Sequence, residues 1–433
     1  MKNVLFIVYY FPPMGGSGVQ RPLKFIKYLR DYGWNPIVIC PEPGAYQFFD
    51  SSLEAELKMI DPEIIRIKAN TPFHKFGGTQ RKTGLISGKV AKILRSISTK
   101  IYFPDNKKGW IKPAVEMGLN IIKEKDIKLI FSTAPPFSNH IIAQKLADKT
   151  GIPYIVDYRD LFVGNHFNAN ANAKYQSKKI DVERKWLMKS SGVTVLDKFA
   201  KKHLNKVYKS LELNYKIIPH GYDHQDFINP QKSIIDYKEK KLNFMYSGLF
   251  YEENQPDIFL KGLKKAFLKI PDLRNCMHLH FQGGIDKRIQ KLIKELGIEA
   301  NVTTYGYVNH DLSISNLLKA DVLWMISNFA ENLKQIKSGK LFEYIGTKKP
   351  ILGLLHDGAA TELLNKYGAG FTASPTDENA VSKQIEVIFQ LWKSGNLPSG
   401  NQDIIKEFDR NKITSELALF FDEITAEISI GNS

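Results

Sequence analysis

The sequence has few cysteines, few acidic residues and no long apolar run. Its 433 residues include two cysteines, Cys40 and Cys276. Two thiols so far apart argue against a disulfide framework and against a cysteine-based zinc site, and they suit a reducing cytoplasm. No apolar stretch approaches the roughly 18 residues of a membrane-spanning helix. The apolar run at the N-terminus is too short for a signal peptide. We therefore expect a globular cytoplasmic protein.

Acidic residues are outnumbered by basic ones. The sequence has 61 Lys and Arg against 45 Asp and Glu, a formal net charge of +16. Such a balance favours anionic partners: nucleic acid, phosphates or an acidic membrane face. A basic nucleic-acid-binding protein is one alternative. However, the sequence carries no recognition motif of that class, and its charges are not interleaved with aromatic residues, so we expect no nucleic-acid partner.

Positive charge is concentrated between Lys75 and Lys112, where Asp105 is the one acidic residue. Within this span, Leu85 to Phe103 has helical spacing, with apolar residues largely on one face and lysines on the other. A basic amphipathic helix is typical of binding to an anionic membrane surface. The same apolar face could instead pack on the domain, and the sequence leaves both interpretations open.

Short apolar runs alternate with helical stretches along the whole chain. The runs are Val4 to Tyr10, "NPIVICP", "PEIIRIKA", "IKLIFSTAPP", "PYIVDYRD", "GVTVLD" and "YKIIPHGYD", then "LNFMYSGLF", "MHLHFQGG", "VTTYGYV", "DVLWMIS", "KPILGLL" and "GAGFTA". This alternation predicts an α/β fold with mostly parallel sheets. We expect two tandem Rossmann-like domains, residues 1–232 and 233–433, with a site in the interdomain cleft. The last helix, about 403–428, is expected to pack back on the first domain.

A glycine-rich turn, "PPMGGSGVQR", follows the first strand. Gly15 and Gly16 would let backbone N–H groups approach an anion at the start of the next helix. The turn matches a nicotinamide-binding fingerprint only weakly, because Arg21 stands where the third glycine is required. The residues alone leave the ligand of this turn open.

The stretch "SGKLFEYIGTKKPIL" carries the most chemistry. It predicts a helix that starts at Ser338 and Gly339, with Lys340 and Glu343 in its first turns. The N–H groups there could hold a phosphate, Lys340 would add a point charge, and Glu343 could accept two hydrogen bonds from a ribose. A capped surface helix would explain Ser338, but it would not explain a carboxylate among apolar neighbours. The stretch therefore predicts a nucleoside-diphosphate site.

These motifs together resemble family 4 glycosyltransferases, which are retaining enzymes of the GT-B fold. The resemblance also rests on "IIPHGYD", "SGLFYEEN", "FQGG", "YGYVNHDLSISNLLKADVLWMIS" and "GAGFTASPTDENAVSKQI", in this order along almost the whole chain. It implies a hexosyltransferase-type enzyme (EC 2.4) that uses a nucleotide sugar of UDP or GDP type. It also implies an acceptor-binding first domain, a donor-binding second domain, and a glycan or polyprenyl-linked acceptor.

The resemblance further implies roles for individual residues. Glu343 matches the glutamate that binds the donor ribose. Gln335 stands where the family usually has its first glutamate, near the donor sugar, so either Gln335 or Glu331 serves there. The catalytic candidates are Glu343, Gln335, Lys340 and Arg159; the donor-binding candidates are Gly15, Gly16, Gly248, Ser338, Gly339, Lys340, Leu341 and Glu343; and the acceptor or phosphate candidates are Arg21, His140, Asp157 and Asp160.

The sequence departs from the family after the first strand of the second domain. Leu249 and Asn254 stand near the places of two basic residues that the family carries there. The charge of the leaving group must then be balanced by other bases, such as Lys340 or Arg159. No metal is expected, because neither domain has an Asp-x-Asp pair at a strand end and GT-B enzymes generally use basic side chains. No cofactor is expected beyond the nucleotide sugar.

A sugar-nucleotide epimerase on the same fold is the second enzyme alternative, and it would use carboxylates and histidines for proton transfer. The basic segment in the first domain favours transfer to a lipid-linked glycan at an anionic membrane surface. The sequence thus predicts a role in bacterial surface polysaccharide assembly, such as capsule or lipopolysaccharide. The expected location is the inner face of the cytoplasmic membrane, with peripheral attachment.

Overall fold

The chain divides into two units. The computed structural model describes residues 1–44, 48–69, 103–164, 173–228, 230, 232–235, 237, 240–250, 254–328 and 339–431. The first unit contains Met1–Pro219 and Ile413–Ser433, and the second contains His220–Lys412. The division falls between residues 219 and 220, before the boundary at 232 that the sequence suggested.

The first unit is built on a parallel sheet of seven strands. They are β1 (Lys2–Ile7), β2 (Trp34–Pro41), β3 (Glu63–Ile67), β4 (Ile127–Ala134), β5 (Tyr154–Tyr158), β6 (Gly192–Val195) and β7 (Tyr215–Ile217). Their order in the sheet is β3-β2-β1-β4-β5-β6-β7, and all neighbours are parallel. The strand β1 is buried from Val4 onwards because helices cover both faces of a sheet of this kind.

Helices connect the strands of the first unit. They are α1 (Ser17–Tyr28), α2 (Ser51–Ile60), α3 (Ile111–Glu124), α4 (Ser138–Thr150), α5 (Ala173–Lys189) and α6 (Lys198–Val207). Aspartate side chains start two of them: Asp50 accepts hydrogen bonds from the backbone at the start of α2, and Asp197 does so at α6. The strand β1 ends at Ile7, earlier than the predicted Tyr10.

The second unit repeats the plan with six parallel strands. They are β8 (Leu242–Ser247), β9 (Met277–Gln282), β10 (Val302–Thr304), β11 (Val322–Ser327), β12 (Ile351–Leu355) and β13 (Gly370–Ala373). Their order is β10-β9-β8-β11-β12-β13. The helices are α7 (Asp257–Lys269), α8 (Pro271–Cys276), α9 (Lys287–Glu295), α10 (His310–Lys319), α11 (Lys340–Gly346), α12 (Ala359–Tyr367), α13 (Glu378–Lys393) and α14 (Gln402–Glu407). Two Rossmann-like α/β domains are therefore confirmed.

The last helix, α15 (Arg410–Gly431), belongs to the first unit from Ile413 onwards. Its Leu417 and Phe421 are buried in the first unit's core, and the rings of Phe421 and Trp34 meet edge to face with centroids 5.3 Å apart. The end of the chain thus covers one face of the first sheet.

Each sheet reverses its strand order at one place. The order turns back between β1 and β4 in the first sheet and between β8 and β11 in the second. At such a point the loops after the two strands diverge and leave a crevice at the carboxyl ends of the strands, where ligands bind in open α/β sheets. The Gly15–Gly16 turn follows β1, and Gly248 follows β8, so both glycine turns lie at a reversal point.

The predicted helix from Leu85 to Phe103 lies almost entirely outside the described residues. At the end of the basic segment, Lys107 and Trp110 are buried in the first unit, and Lys107 lies 5.2 Å from the ring centre of Tyr9. These two residues are therefore part of the fold and not of an exposed basic face. None of the described helices is both long and apolar enough to cross a membrane.

Candidate active site

The predicted donor helix is present as α11, which lies in the second unit after β11. It is seven residues long, and its apolar side chains fix it to the core: Leu341, Phe342 and Tyr344 are at most 1% exposed. The Tyr344 hydroxyl also accepts a 2.9 Å hydrogen bond from the backbone N–H of Ser247 at the end of β8. These contacts hold α11 at the place where the strand order of the second sheet reverses. Because the Leu341 side chain is in the core, only its backbone could reach a ligand.

The side chain of Lys340 folds back over the end of β8. Its Nζ donates a 3.0 Å hydrogen bond to the Tyr246 hydroxyl and lies 4.5 Å from the centre of the Tyr246 ring. It also lies directly over Gly248, where a Cβ atom would come within 2.3 Å of the Lys340 Nζ. Gly248 has φ of 122°, a backbone conformation that favours glycine. The glycine therefore makes room for an ammonium group at the turn after β8.

Glu343 stands one helical turn after Lys340 and has charged neighbours of its own. Its Oε1 lies 4.0 Å from Nδ1 of His310, and Nε2 of His310 lies 3.0 Å from Oδ2 of Asp226. The Glu343 side chain keeps 26% of its surface exposed, whereas those of His310 and Asp226 keep 10% and 13%. Desolvation raises the pKa of Glu343; the charge of Asp226 adds to this rise, and the charges of His310, Arg410 and Lys340 oppose it.

Glu343 comes near Asp226 because α11 lies close against a neighbouring segment. A Cβ atom on Gly346, at the end of α11, would come within 2.7 Å of the Tyr222 ring and 3.0 Å of the Phe227 ring. The absence of a side chain at Gly346 thus lets α11 lie against the segment that carries Asp226. His310 is the first residue of α10, whose start is fixed by Asn309, which accepts a 3.0 Å hydrogen bond from the Leu312 N–H.

Three predicted residues of this site lie outside the described residues: Gln335, its alternative Glu331, and Ser338. Gly339 immediately precedes α11 and has helical backbone angles. The structure thus brings together Gly248, Gly339, Lys340 and Glu343 of the predicted donor residues.

A surface pocket of about 450 Å³ lies at the carboxyl ends of β12 and β13 in the same unit. It is lined by Leu355, His356, Asp357, Thr361, Thr372, Ala373 and Ser374. His356 is held there by a 2.9 Å hydrogen bond between its Nε2 and the Asn328 Oδ1. The pocket offers hydroxyl, imidazole and carboxylate groups at the carboxyl edge of the second sheet.

The first-unit candidates Arg21 and Asp157 form a buried ion pair. Both side chains are fully buried; Arg21 Nη2 lies 2.8 Å from Asp157 Oδ1, and Nε lies 3.1 Å from Oδ2. Arg21 also donates to the carbonyls of Ile218 and Pro219. The expected contact of Arg21 with a phosphate has no support here, because the guanidinium has no exposed donor. The pair instead joins α1, β5 and the end of the unit.

Hydroxyl groups complete the environment of Asp157. Thr133 and Thr194 on the neighbouring strands each donate a 2.7 Å hydrogen bond to one of its two oxygens. Burial alone would raise the pKa of Asp157, but the charge of Arg21 and the bonds from Arg21, Thr133 and Thr194 outweigh it and lower the pKa to about 2. Asp157 is therefore a structural anion rather than a contact for an acceptor.

His140 lies inside the first unit, whereas Arg159 is partly exposed and held by backbone carbonyls. His140 is fully buried, its Nδ1 lies 2.8 Å from the Ser132 hydroxyl, and burial lowers its pKa to about 3, so it carries no charge for a phosphate at neutral pH. Arg159 donates to the carbonyls of Gly18, Ala134 and Pro135 and thereby ties the glycine turn to β4. Asp160, next to it, is partly exposed.

The glycine turn of the first unit remains at the carboxyl end of β1. Gly15 is buried, and its N–H donates a 2.9 Å hydrogen bond to the Phe48 carbonyl. Gly16 is exposed with φ of 109° and directly precedes α1. The turn is thus formed as the sequence predicts, while its ligand stays a prediction.

The two sheets can be compared with those of known proteins. No model of a protein family matches the sequence, and no curated protein matches it either. Among solved structures, a glycosyltransferase from Rickettsia africae ESF-5 is similar with a TM-score of 0.63 and 16% identity, over 98% of each chain. The chain has a GT-B fold.

Two further structures with this fold differ in activity. The pneumococcal O-GlcNAc transferase, solved with UDP and GlcNAc, is similar with a TM-score of 0.60 and 12% identity, over 98% of this chain and 99% of that one. A putative UDP-N-acetylglucosamine 2-epimerase from Listeria monocytogenes has a TM-score of 0.56 and 10% identity, over 97% and 95%. At such identities the similarity shows the fold alone.

Sequence reasoning missed three residues of the site: His310, Asp226 and Tyr246. The first two lie in turns, "NHD" and "HQD", which resemble ordinary helix starts, and Tyr246 is one of many apolar strand residues. Only their positions in space connect them to Lys340 and Glu343. No spacing pattern in the sequence would have found them.

We predict that Asp157→Asn destabilises the protein by about 3–5 kcal/mol, because it leaves the buried Arg21 without a counter-charge. The measurement is urea unfolding at neutral pH. Asp148→Asn is the control: its 2.6 Å pair with Lys189 is exposed, and its loss should cost less than about 1 kcal/mol. Equal costs would contradict a structural role for the buried pair.

The same pair predicts a pH dependence. Because the folded pKa of Asp157, about 2, lies below its ordinary value of about 3.9, its contribution is complete above about pH 4 and is lost as the pH falls towards 2. The stability difference between wild type and Asp157→Asn should therefore stay constant down to about pH 4. A difference that already fades near pH 6 would refute this assignment.

We also predict that Gly248→Ala is destabilising in two separable ways. Backbone strain at a φ of 122° should cost about 1–3 kcal/mol, and displacement of Lys340 should add to it. A double-mutant cycle with Lys340→Ala separates the two: in the Lys340→Ala background, Gly248→Ala should cost less. Strictly additive unfolding energies would show that Lys340 does not rest on Gly248.

Proposed function

We propose that this protein is a retaining glycosyltransferase of the family 4 type that transfers a sugar from a nucleotide sugar to a glycan or lipid-linked glycan. The observation that carries the proposal is the placement of Lys340 and Glu343. One ammonium and one carboxylate stand a helical turn apart at the reversal point of the second sheet. This is the pair of charges needed to hold a diphosphate and a ribose side by side.

Lys340 would stabilise the leaving diphosphate. The family's basic residues are missing after β8, where Leu249 and Asn254 stand instead. Lys340 reaches that same turn from α11 and rests over Gly248, which supports its use as the replacement. Its ammonium contacts the Tyr246 hydroxyl and therefore lies at the carboxyl end of β8. The sequence resemblance assigns further phosphate contacts to the backbone N–H groups near Gly339 and Lys340.

Glu343 would bind the ribose. An ionised carboxylate accepts hydrogen bonds at both oxygens, which matches two adjacent hydroxyl groups that both donate. The 26% exposure of the side chain leaves it accessible to a ligand. The remaining sugar-binding groups, Gln335 or Glu331, follow from the sequence resemblance alone.

The proposed chemistry passes through an oxocarbenium-like transition state. The bond between the anomeric carbon and the diphosphate breaks, and the acceptor oxygen bonds to that carbon on the same face. The leaving phosphate takes the acceptor proton, so no separate base is required. Lys340 and nearby basic groups would offset the developing negative charge, and we propose that no metal ion is needed.

The first unit would bind the acceptor. The Gly15–Gly16 turn lies at its reversal point, and the exposed Gly16 permits close approach of a ligand to the backbone. The net charge of +16 and the basic segment between residues 75 and 112 support an acceptor at an anionic membrane surface. We therefore propose a peripheral protein of the inner membrane face that acts in surface polysaccharide assembly.

We expect Glu343→Ala to weaken nucleotide binding by about 2–4 kcal/mol, since a bound ribose loses the acceptor of both hydroxyl groups. Calorimetric titration with UDP, GDP, ADP and CMP would measure it. Glu378→Ala is the control, because this carboxylate pairs with Lys265 elsewhere in the same unit. Unchanged affinity in Glu343→Ala would remove Glu343 from the site.

Incubation with a sugar derivative of the nucleotide that binds distinguishes the epimerase alternative. With the nucleotide sugar that binds, a transferase releases the nucleotide or labels an acceptor, whereas an epimerase converts the nucleotide sugar without any acceptor. Formation of an epimer in the absence of acceptor would overturn the proposed transferase.

Membrane attachment is tested by sedimentation with vesicles. At low salt the protein should pellet with anionic vesicles but not with neutral ones, since each surface Lys or Arg contributes about 1 kcal/mol. Changing Lys89, Lys92, Arg95 and Lys100 together to Glu should release it. The control makes the same charge change at the exposed lysines 287, 291, 294 and 383 of the second unit. Equal release by both variants would contradict a specific basic surface.

A further inference from the structure

The site contains a histidine, His310, that the proposed reaction does not use. It lies between two carboxylates, those of Asp226 and Glu343. His310 faces Asp226 with Nε2 at 3.0 Å and Glu343 with Nδ1 at 4.0 Å. All three side chains belong to the second unit, on α10, on the short 3₁₀ helix His224–Phe227 and on α11. The two carboxylates thus meet the two nitrogens of one imidazole ring.

This geometry restricts where protons can be. The Asp226 carboxylate only accepts hydrogen bonds, so the Nε2 of His310 carries a proton towards it. In a neutral imidazole, Nδ1 would then present a lone pair to the Glu343 oxygen, which is also an acceptor. A proton on Nδ1 removes this conflict. An imidazolium at this place would attract both carboxylates.

The charge on His310 affects the ionisation of Glu343. Desolvation and the charge of Asp226 favour its neutral form; the charge of His310, and those of Arg410 and Lys340, favour its ionised form. Among the described residues, these four charged groups act on Glu343: Lys340 from its own helix, and Asp226, His310 and Arg410 from other segments of the second unit. Among them, His310 has the largest effect in favour of the carboxylate.

We propose that His310, held by Asp226, is a positioning residue that keeps Glu343 ionised and oriented for binding the two ribose hydroxyl groups. The inference rests on the proposed function, since it assigns His310 to the same nucleoside site. Only the ionised carboxylate accepts from both hydroxyl groups, whereas a protonated one must itself donate. Without His310, Glu343 would take up a proton at a higher pH, and ribose binding would be lost there.

The test compares His310→Gln with wild type in the full-length protein. UDP and GDP affinities are measured by calorimetry between pH 6.5 and 8.5. We expect the variant to bind nearly as well as wild type at the highest pH and progressively more weakly as the pH falls, towards a limit of about tenfold, because one pKa unit corresponds to a factor of ten. At each pH the affinity of the variant is divided by that of wild type, because the phosphate of the nucleotide itself titrates near pH 6 and affects binding to both proteins alike.

Two controls accompany the variant. His224→Gln removes a histidine whose Nδ1 lies 2.8 Å from Asp409 Oδ2 in the same unit, and it should leave the pH profile unchanged. In a Glu343→Gln background, His310→Gln should have no further effect on affinity. A loss of affinity that is equal at all pH values, or that persists in the Glu343→Gln background, would overturn the inference and indicate a merely structural role.

A second measurement does not depend on a nucleotide. With ¹³C-labelled glutamate, the carboxyl signal that disappears in Glu343→Gln reports the titration of Glu343 by NMR. Its midpoint should rise by about one pH unit in His310→Gln or His310→Asn, and an unchanged midpoint would overturn the inference. If the wild type binds no nucleotide, the proposed function fails, and the NMR titration still decides whether His310 controls Glu343.

Discussion

Both units depend on one constraint: parallel strands can be joined only through crossover connections. Every strand therefore ends at the same edge of its sheet, and every loop that follows a strand lies along that edge. Where the strand order turns back, the loops diverge and leave room for a ligand. The glycine turn after β1 and Gly248 after β8 both occupy such points. The candidate site is thus a consequence of chain connectivity before any side chain is considered.

In the second unit, several charged side chains lie at this edge, and they are partly buried. Lys340 lies on Tyr246 over Gly248, and Glu343 lies beside His310 and Asp226. Two glycines make this possible by different means: Gly248 leaves space for an ammonium, and Gly346 allows α11 to approach the segment with Asp226. Burial makes each charge sensitive to its neighbours, which is why the ionisation of Glu343 is coupled to theirs.

In the first unit, charge serves a different purpose. Arg21 and Asp157 satisfy each other completely inside the fold, with Thr133, Thr194 and two carbonyls filling the remaining positions. An arginine in the first turns after a glycine-rich loop suggested a phosphate contact from the sequence. The sequence could not reveal that Asp157, which lies 136 positions further along the chain, would bury and neutralise it.

The sequence by itself determined the fold. Alternating short apolar runs and helical stretches specified the strands of both sheets, because buried parallel strands require continuous apolar residues and their connections require amphipathic helices. It also located Lys340 and Glu343, whose motif is local. The tertiary structure alone decided which charged groups meet. His310 and Asp226 lie 33 and 117 residues before Glu343 in the sequence. Since electrostatic interaction depends on distance in space and on burial, neither of which a linear pattern encodes, only folding could place a histidine between these two carboxylates.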